Sequence, residues 1–406
     1  MMTEQRPFGE LIPFSEAVNK ILTSVDEIKR KETIHLTKAI GRVLSENVES
    51  DLYVPPFERG AMDGFAVKAE DTYGAGKFDP VELQSIGIIH AGDEPSIKIG
   101  KGECAQIATG APMPDGADAV VKVEVTEKDD ETISIYKPVH PGENVSPKGE
   151  DIKEGEIVLK KDQVLSPAQI GALAAMGIEE VKVYEKPKVG IIPTGDEVVP
   201  LDEELKPGQI YDVNSYTLTS MVESNGGKAF RGTVVQDSLE GLKEEIKKRS
   251  IDMDMVLFSG GSSVGDKDML IDALSSLGKV VFHGVKLKPG KPTLFGIVDG
   301  TMVFGMPGYP TSCLNTAQHL ILPALRKMAS LPPPCERKTR AHLDKRITSS
   351  LGRKQYMTVE LDGDKAYPVY KQSGAITSMA QADGYFEIPE NVELVEKGEE
   401  VEVVLF

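Results

Sequence analysis

Between residues 187 and 330 the chain alternates short apolar runs with amphipathic segments, and this alternation restricts the fold more than any other feature of the sequence. KVGIIPTGDE reads as a buried strand running into a loop, NSYTLTSMVESNGG as a helix with a glycine stop, and FRGTVVQD as a second strand. LEGLKEEIKKRS, DMVLFSGG, DMLIDALSSLG, GTMVFGMPG and TSCLNTAQHLILPALRKMAS continue as helix, strand, helix, strand and one long helix. Strands separated by helices cannot pair as hairpins and need crossovers. The order therefore predicts a mostly parallel sheet with helices on both faces.

The flanking segments have other textures. Residues 14–30 carry helical spacing with Ser15 as the expected N-cap, and 34–46 form a second helix-like stretch. Residues 166–178 predict a helix with Ser166 as N-cap, Pro167 at the first position and Gly177 at the close. From 52 to 147, β-rich runs such as DGFAVKA and ADAVVKVEV alternate with Gly and Pro turns, which predicts an inserted β module. Leu331 and the three prolines after it make a stiff linker, and 336–406 predict a small β-barrel or sandwich. The expected fold class is multidomain α/β plus β. Its expected domains are 1–52 with 148–186, an insertion at 53–147, an α/β domain at 187–330, and a β domain at 331–406.

Composition narrows the functions. Lys plus Arg total 46 against 64 Asp plus Glu, a net charge of −18. Non-specific nucleic-acid binding needs a positive surface, so it is excluded, whereas a local cationic site for a small anion is not. No apolar run approaches the ~20 residues of a membrane span, and the first residues lack the pattern of a signal peptide. Cys104, Cys313 and Cys335 are far apart and unpatterned, which predicts a reducing compartment rather than a disulfide scaffold. The six histidines lack metal-ligand spacing.

Ligands of open α/β sheets bind at the carboxyl ends of strands. Three strand-end loops are expected to converge there: 194–197, 259–268 and 305–312. The second is rich in Gly and Ser before a helix, a pattern whose inward backbone N–H groups cradle phosphate. It lacks the lysine of a P-loop and the GxGxxG of a dinucleotide fold, and a plain strand–helix turn fits it equally well. Asp266 and Asp268 follow it, where acids suit either Mg2+ shared with substrate phosphates or the helix dipole. Glu197 ends the first loop, where a solvated loop acid is the alternative. In Lys286-Leu-Lys288-Pro289-Gly290-Lys291-Pro292, three lysines fall on a backbone stiffened by two prolines. Fixing lysines in place is costly unless an anion meets them, so this segment predicts anion binding. Tight loops at 55–66, 109–114 and 149–151 read individually as turn chemistry.

Taken together, these motifs resemble the molybdopterin molybdenumtransferases, the MoeA proteins and the matching E domain of gephyrin. The matching pieces are PPFERGAMDGFAV, IATGAPMPDGADAVV, GEDI, PTGDEV with GQIYDVNS, VLFSGGSSVGDKD, KLKPGKP, GMPGYPTS, GRKQY, QSGA and ADGY, in family order over nearly the whole chain. The resemblance implies a central MoaB/Mog-like three-layer α/β domain. It also implies a reaction that takes adenylylated molybdopterin and molybdate to molybdenum cofactor and AMP with Mg2+.

It further implies site residues. Lys288, Lys291, Pro292, Ser312, Arg353 and Ser373 would hold molybdate. Gly260, Gly261, Ser262, Ser263, Pro307 and Pro310 would hold the pterin and AMP phosphates. Asp63, Thr109, Asp151, Glu197, Asp237 and Asp268 would be the catalytic groups, with Glu197 and Asp268 on the metal. A cytoplasmic homodimer whose sites are shared between chains, working beside an adenylyltransferase of the same pathway, is the implied assembly. Tyr309 stands where many members have Asn, a bulky ring near the implied pocket. Two readings remain beside this one. An adenylyltransferase resembles the α/β domain alone, and a gephyrin-like peptide scaffold would not need the acids and lysines.

Overall fold

A computed structural model describes residues 10–94, 96–236, 238–260, 269–369 and 374–406. The chain forms two compact units, one of residues 33–40 and 44–183, the other of 41–43, 184–406 and the segment before residue 33.

The second unit contains the predicted sheet. Its six strands run in the order Lys228–Arg231, Lys188–Pro193, Met255–Ser259, Thr301–Met306, Leu294–Val298 and Lys279–His283. The first four are parallel, and the last two add antiparallel. Successive strand residues face opposite sides, so two apolar layers are required. Ile191, Leu257 and Phe304 pack on one side against Leu218 and Leu325. Ile192, Val256 and Val303 pack on the other against Leu242, Ile246 and Leu274. The helix Phe14–Thr23 joins the first layer through Phe14, Ala17 and Ile21.

The C-terminal strands Lys338–Leu343, Lys354–Asp362, Lys365–Pro368, Gly384–Ile388 and Glu400–Leu405 close into a five-stranded barrel, because 354–362 pairs with both 365–368 and 384–388. Of the two predicted forms, the barrel is the one adopted. The short strand Leu287–Lys288 of the α/β region extends this barrel sheet, parallel to Lys354 and Gln355.

The first unit centres on a six-stranded sheet ordered Ala119–Lys122, Gly64–Val67, Glu103–Ile107, Val81–Ile89, Thr132–Ile135 and Thr126–Asp129. The helix Pro167–Ala175 lies in the same unit and carries the expected Ser166 cap, reinforced by Gln169.

Three local expectations are corrected, and the long helix gains a π turn. The N-cap of the first helix is Pro13, not Ser15. Residues 34–46 are not an α-helix: a strand, Lys31–His35, runs into a single 3-10 turn, Leu36–Lys38. There the His35 side chain accepts the Thr37 N–H, a local bond that competes with helix. The strand read over FRGTVVQD stops at Arg231. The expected long helix is present as one continuous run, Pro310–Thr316, a π turn at Ala317–Ile321, and Leu322–Met328. Pro323 supplies the cause of the π turn, since it has no N–H for the carbonyl four residues back.

Candidate functional site

In the second unit the first and third strand-end loops both meet the start of the second, at Ser259 and Gly260. The Thr194 N–H donates to the Ser259 carbonyl at 3.0 Å, and the Gly260 N–H donates to the Met306 carbonyl at 3.2 Å. Gly260 has φ +111°, and a Cβ there would lie 2.4 Å from the Thr194 carbonyl oxygen. Only glycine fits, and the backbone is left bare between the first and third loops. Gly308 lies against Gly260, since a Cβ on Gly308 would come 3.6 Å from the Gly260 Cα. Asn214 Nδ2 donates to the Gly308 carbonyl at 2.9 Å and anchors the third loop. The same helix start is braced by buried Asp212, whose carboxylate accepts the Ser215 backbone N–H at 3.0 Å and the Ser215 hydroxyl.

Glu197 is exposed, and its carboxylate folds back over Gly195, where a Cβ would meet Oε2 at 2.8 Å. Pro307 is buried at the end of the third strand, and Pro310 opens the helix that carries buried Ser312. Asp237, Gly261, Ser262, Ser263, Asp268 and Ser373 lie outside the described residues.

The lysine segment is tied to that same helix. Asn315 Nδ2 donates to the Pro289 carbonyl at 2.7 Å, and the buried Thr293 hydroxyl donates to the Gly290 carbonyl at 2.8 Å. The Val285 N–H donates to the Lys291 carbonyl at 3.0 Å. Gly290 has φ +127° and packs so closely that a Cβ would meet Thr316 Oγ1 at 2.5 Å. The segment is therefore held by its backbone, which leaves the Lys288 ammonium to be placed by its surroundings. Pairing of Leu287–Lys288 with Lys354–Gln355 carries Lys288 to the barrel. There Nζ lies 3.5 Å from Ser350 Oγ, and partial burial, with Arg353 as the second cause, holds the Lys288 pKa below its ordinary value. Like charges partly out of water repel each other, and an anion between them relieves that repulsion. Lys291 and Pro292 are half-buried in the same segment. The Tyr309 ring reaches the barrel loop, 3.6 Å from where a Cβ on Gly374 would lie.

The first unit brings its own three loops together. Asp63 Oδ1 accepts the Thr109 backbone N–H at 2.6 Å and the Thr109 hydroxyl at 2.8 Å. Those two bonds hold the exposed Asp63 carboxyl below its usual range, the backbone bond contributing most. Gly60 exchanges backbone hydrogen bonds with the 109–111 loop at 2.8 and 2.9 Å, and the Asp151 N–H donates to the Val54 carbonyl at 3.0 Å. Arg59 Nε donates to Ser146 Oγ at 3.5 Å, and that hydroxyl donates to Glu150 at 2.5 Å. An open cleft beside these loops is lined by Glu58, Asp93, Glu94 and Asp115, with Met113 and Phe57. Such a lining repels an oxyanion.

The acids Asp63 and Asp151 and the hydroxyl of Thr109 thus belong to one compact unit, and Glu197, Lys288, Lys291, Ser312 and Arg353 to the other. Ser350, Asn214 and Asp212 were not singled out as site residues from the sequence. Asn214 and Asp212 sit in the DVNS element that accompanies PTGDEV, which was a usable signal. For Ser350 there was none, because only the strand pairing brings it to Lys288. Among the described residues no three His, Cys, Asp or Glu side chains gather as a metal cage, and no helix is long and apolar enough to cross a membrane. Cys104 and Cys313 are buried, and burial pushes both thiols up, Cys104 to about 12, so neither serves as a nucleophile.

Comparison with known proteins covers nearly the whole chain. Residues 12–177 match the family model of the MoeA N-terminal region, domains I and II. Residues 190–327 match the probable molybdopterin binding domain, and 340–406 the MoeA C-terminal region, domain IV. The chain is 34% identical over 411 residues to a molybdopterin molybdenumtransferase of Nostoc sp., covering 98% of this chain and 94% of that protein. It is 34% identical over 391 residues to molybdopterin molybdenumtransferase 2 of Mycobacterium tuberculosis, covering 92% and 95% respectively. A crystal structure of a MoeA molybdopterin biosynthesis protein from Pyrococcus horikoshii superposes with a TM-score of 0.85 at 43% identity, covering 98% of this chain and 99% of that one.

Proposed function

From the premise that this chain belongs to the MoeA family of transferases in molybdenum cofactor biosynthesis, we propose that it inserts molybdate into adenylylated molybdopterin with Mg2+, releasing AMP and giving molybdenum cofactor. The observation that carries this reading is the half-buried Lys288, whose ammonium lies 3.5 Å from Ser350 Oγ at the α/β–barrel seam and feels the charge of Arg353. Molybdate is a dianion, and one such ion relieves the repulsion between them. Lys291, Pro292, Ser312 and Ser373 complete its surroundings in this reading.

In this reading the pterin and AMP phosphates are held by the bare backbone at Gly260, with Gly261, Ser262, Ser263, Pro307 and Pro310. Mg2+ is bound through one or two carboxylates plus substrate phosphates rather than by an all-protein cage. The exposed Glu197 at the strand end fits that donor set, with Asp268 as its partner. When bound, the ion neutralises charge on the phosphate whose P–O bond is cleaved. Phosphoryl chemistry of this kind works by positioning and charge, so no activated nucleophile is needed. Asp63, fixed by Thr109, together with Asp151 and Asp237, orients water or the dithiolate. We read the chain as a cytoplasmic homodimer, in which the acids of one chain and the α/β site of the other share a catalytic centre. It would receive its substrate from an adenylyltransferase. The four-domain division at 52, 147, 186 and 330 is part of the same reading.

The test is incubation of purified protein with adenylylated molybdopterin, molybdate and Mg2+. AMP release that requires the oxyanion is expected, and AMP release without it would refute the transfer reaction.

A further inference from the structure

Among the described residues, two polar atoms at the convergence of the loops have no partner. Thr194 Oγ1, in a residue 2% exposed, and Asn214 Oδ1, in a residue 7% exposed, make no hydrogen bond to any described residue. Buried polar atoms are nearly always paired, so each exception calls for an explanation. Both residues touch the same pair of glycines. Thr194 packs on Gly260 so tightly that a Cβ there would lie 2.8 Å from Oγ1, and Asn214 holds the carbonyl of Gly308, which abuts Gly260. The direction of the Asn214 amide is settled by that bond. Nδ2 must face the Gly308 carbonyl, because the flipped amide would set oxygen against oxygen. Oδ1 is therefore an acceptor that awaits a donor.

We propose that Asn214 and Thr194 read a hydrogen-bond donor of the ligand, an N–H of a heterocycle or a sugar hydroxyl, laid against the Gly260–Gly308 backbone. This inference rests on the reading of the α/β loops as the substrate site. A fully ionised phosphate or a molybdate cannot satisfy Asn214 Oδ1, since neither carries a donor. The contact is thus distinct in chemistry from the cationic site at Lys288. An adenylylated pterin presents suitable donors at both ends: the amino group and ribose hydroxyls of the nucleotide, and the amino and ring N–H groups of the pterin. A site built to hydrogen-bond a donor discriminates sharply against analogues that lack it, because its own buried acceptor is then left unpaired. Thr194 and Asn214 are in this sense specificity residues.

The test is equilibrium binding to the full-length chain, measured separately with AMP, with neopterin and with sulfate, which is fully ionised and carries acceptors only. Thr194→Val is the decisive variant, because it removes an unpaired hydroxyl at nearly constant shape. The ligand-free protein should melt at the same temperature or higher, while affinity for AMP or for neopterin falls about tenfold and that for sulfate changes less than about twofold. Asn214→Ala should weaken the same probe, with a lower melting temperature because the Gly308 anchor is lost. An effect on AMP alone assigns the contact to the nucleotide, and an effect on neopterin alone assigns it to the pterin. The inference is overturned if Thr194→Val binds both as the wild type does, as it would if only water occupies the contact, or if the wild type binds neither. Because binding is read without turnover, failure of the oxyanion-dependent transfer would leave this measurement standing.

Discussion

The charge of Asp63 is set by one neighbour. Thr109 donates twice to a single carboxylate oxygen, and the group stays ionised well into acid although it is exposed to solvent. Thr109→Val removes the hydroxyl bond and keeps the backbone one, so the Asp63 pKa should rise part of the way to the ordinary carboxylate range. If catalysis needs the ionised form, the acid limb of the kcat/KM profile moves to higher pH, and an unmoved limb would take Asp63 out of that role. Asp63→Ala should lower turnover by about a hundredfold or more while leaving unfolding free energy within about 0.5 kcal/mol, as expected for an exposed side chain. At the seam, Arg353→Ala should let the Lys288 pKa rise and should raise KM for molybdate about tenfold or more, since one of two cations is lost. Unchanged oxyanion dependence in steady-state kinetics would contradict the assignment.

At the scale of elements, the strands of the α/β sheet and the capped helix at Pro167–Ala175 were legible because their periodicity and caps are local signals. What was not legible is non-local. Leu287–Lys288 is too short to read as a strand, and its partner lies far along the chain, so Lys288, Ser350 and Arg353 become neighbours only through barrel pairing. The antiparallel strands Lys279–His283 and Leu294–Val298 were likewise missed. The convergence at Gly260 was anticipated from the strand-end rule, but the need for glycine there comes from the Thr194 carbonyl. Gly260→Ala should therefore destabilise by about 1–3 kcal/mol, read by denaturant unfolding.

The π turn before Pro323 places His319 in a parallel stack with Tyr356, ring centroids 3.5 Å apart, edge-on to Tyr385 of the barrel. Enclosure, with Lys354 nearby, lowers the His319 pKa to about 3. The unfolded chain takes up a proton near its ordinary pKa of about 6.5 while the folded imidazole stays neutral, so stability is lost as pH falls from about 6.5 toward about 3. His319→Phe keeps the stack and removes that loss, and the wild type should lose about 2 kcal/mol more than the variant between about pH 7.5 and about pH 5. Parallel acid limbs in thermal melts would contradict this.

Over the whole molecule, charge is segregated. The chain carries −18 overall, with an acid-lined cleft in one unit and the cationic pair in the other. Asp63 and Asp151 belong to one compact unit and the proposed oxyanion site to the other, and the proposed dimer would share them between chains. Mixing Asp63→Ala and Lys291→Ala protein after subunit exchange should then restore about one quarter of wild-type activity, since half the dimers are mixed and each has one intact site. No recovery would argue for sites complete within one chain.

The central claim concerns where the metal oxide sits. A crystal soaked in tungstate, whose heavy-atom signal is unmistakable, tests it directly. Density between the Lys288 ammonium and the Arg353 guanidinium, near Ser312, is the predicted result. Ordered tungstate elsewhere, with that seam empty, would contradict the account.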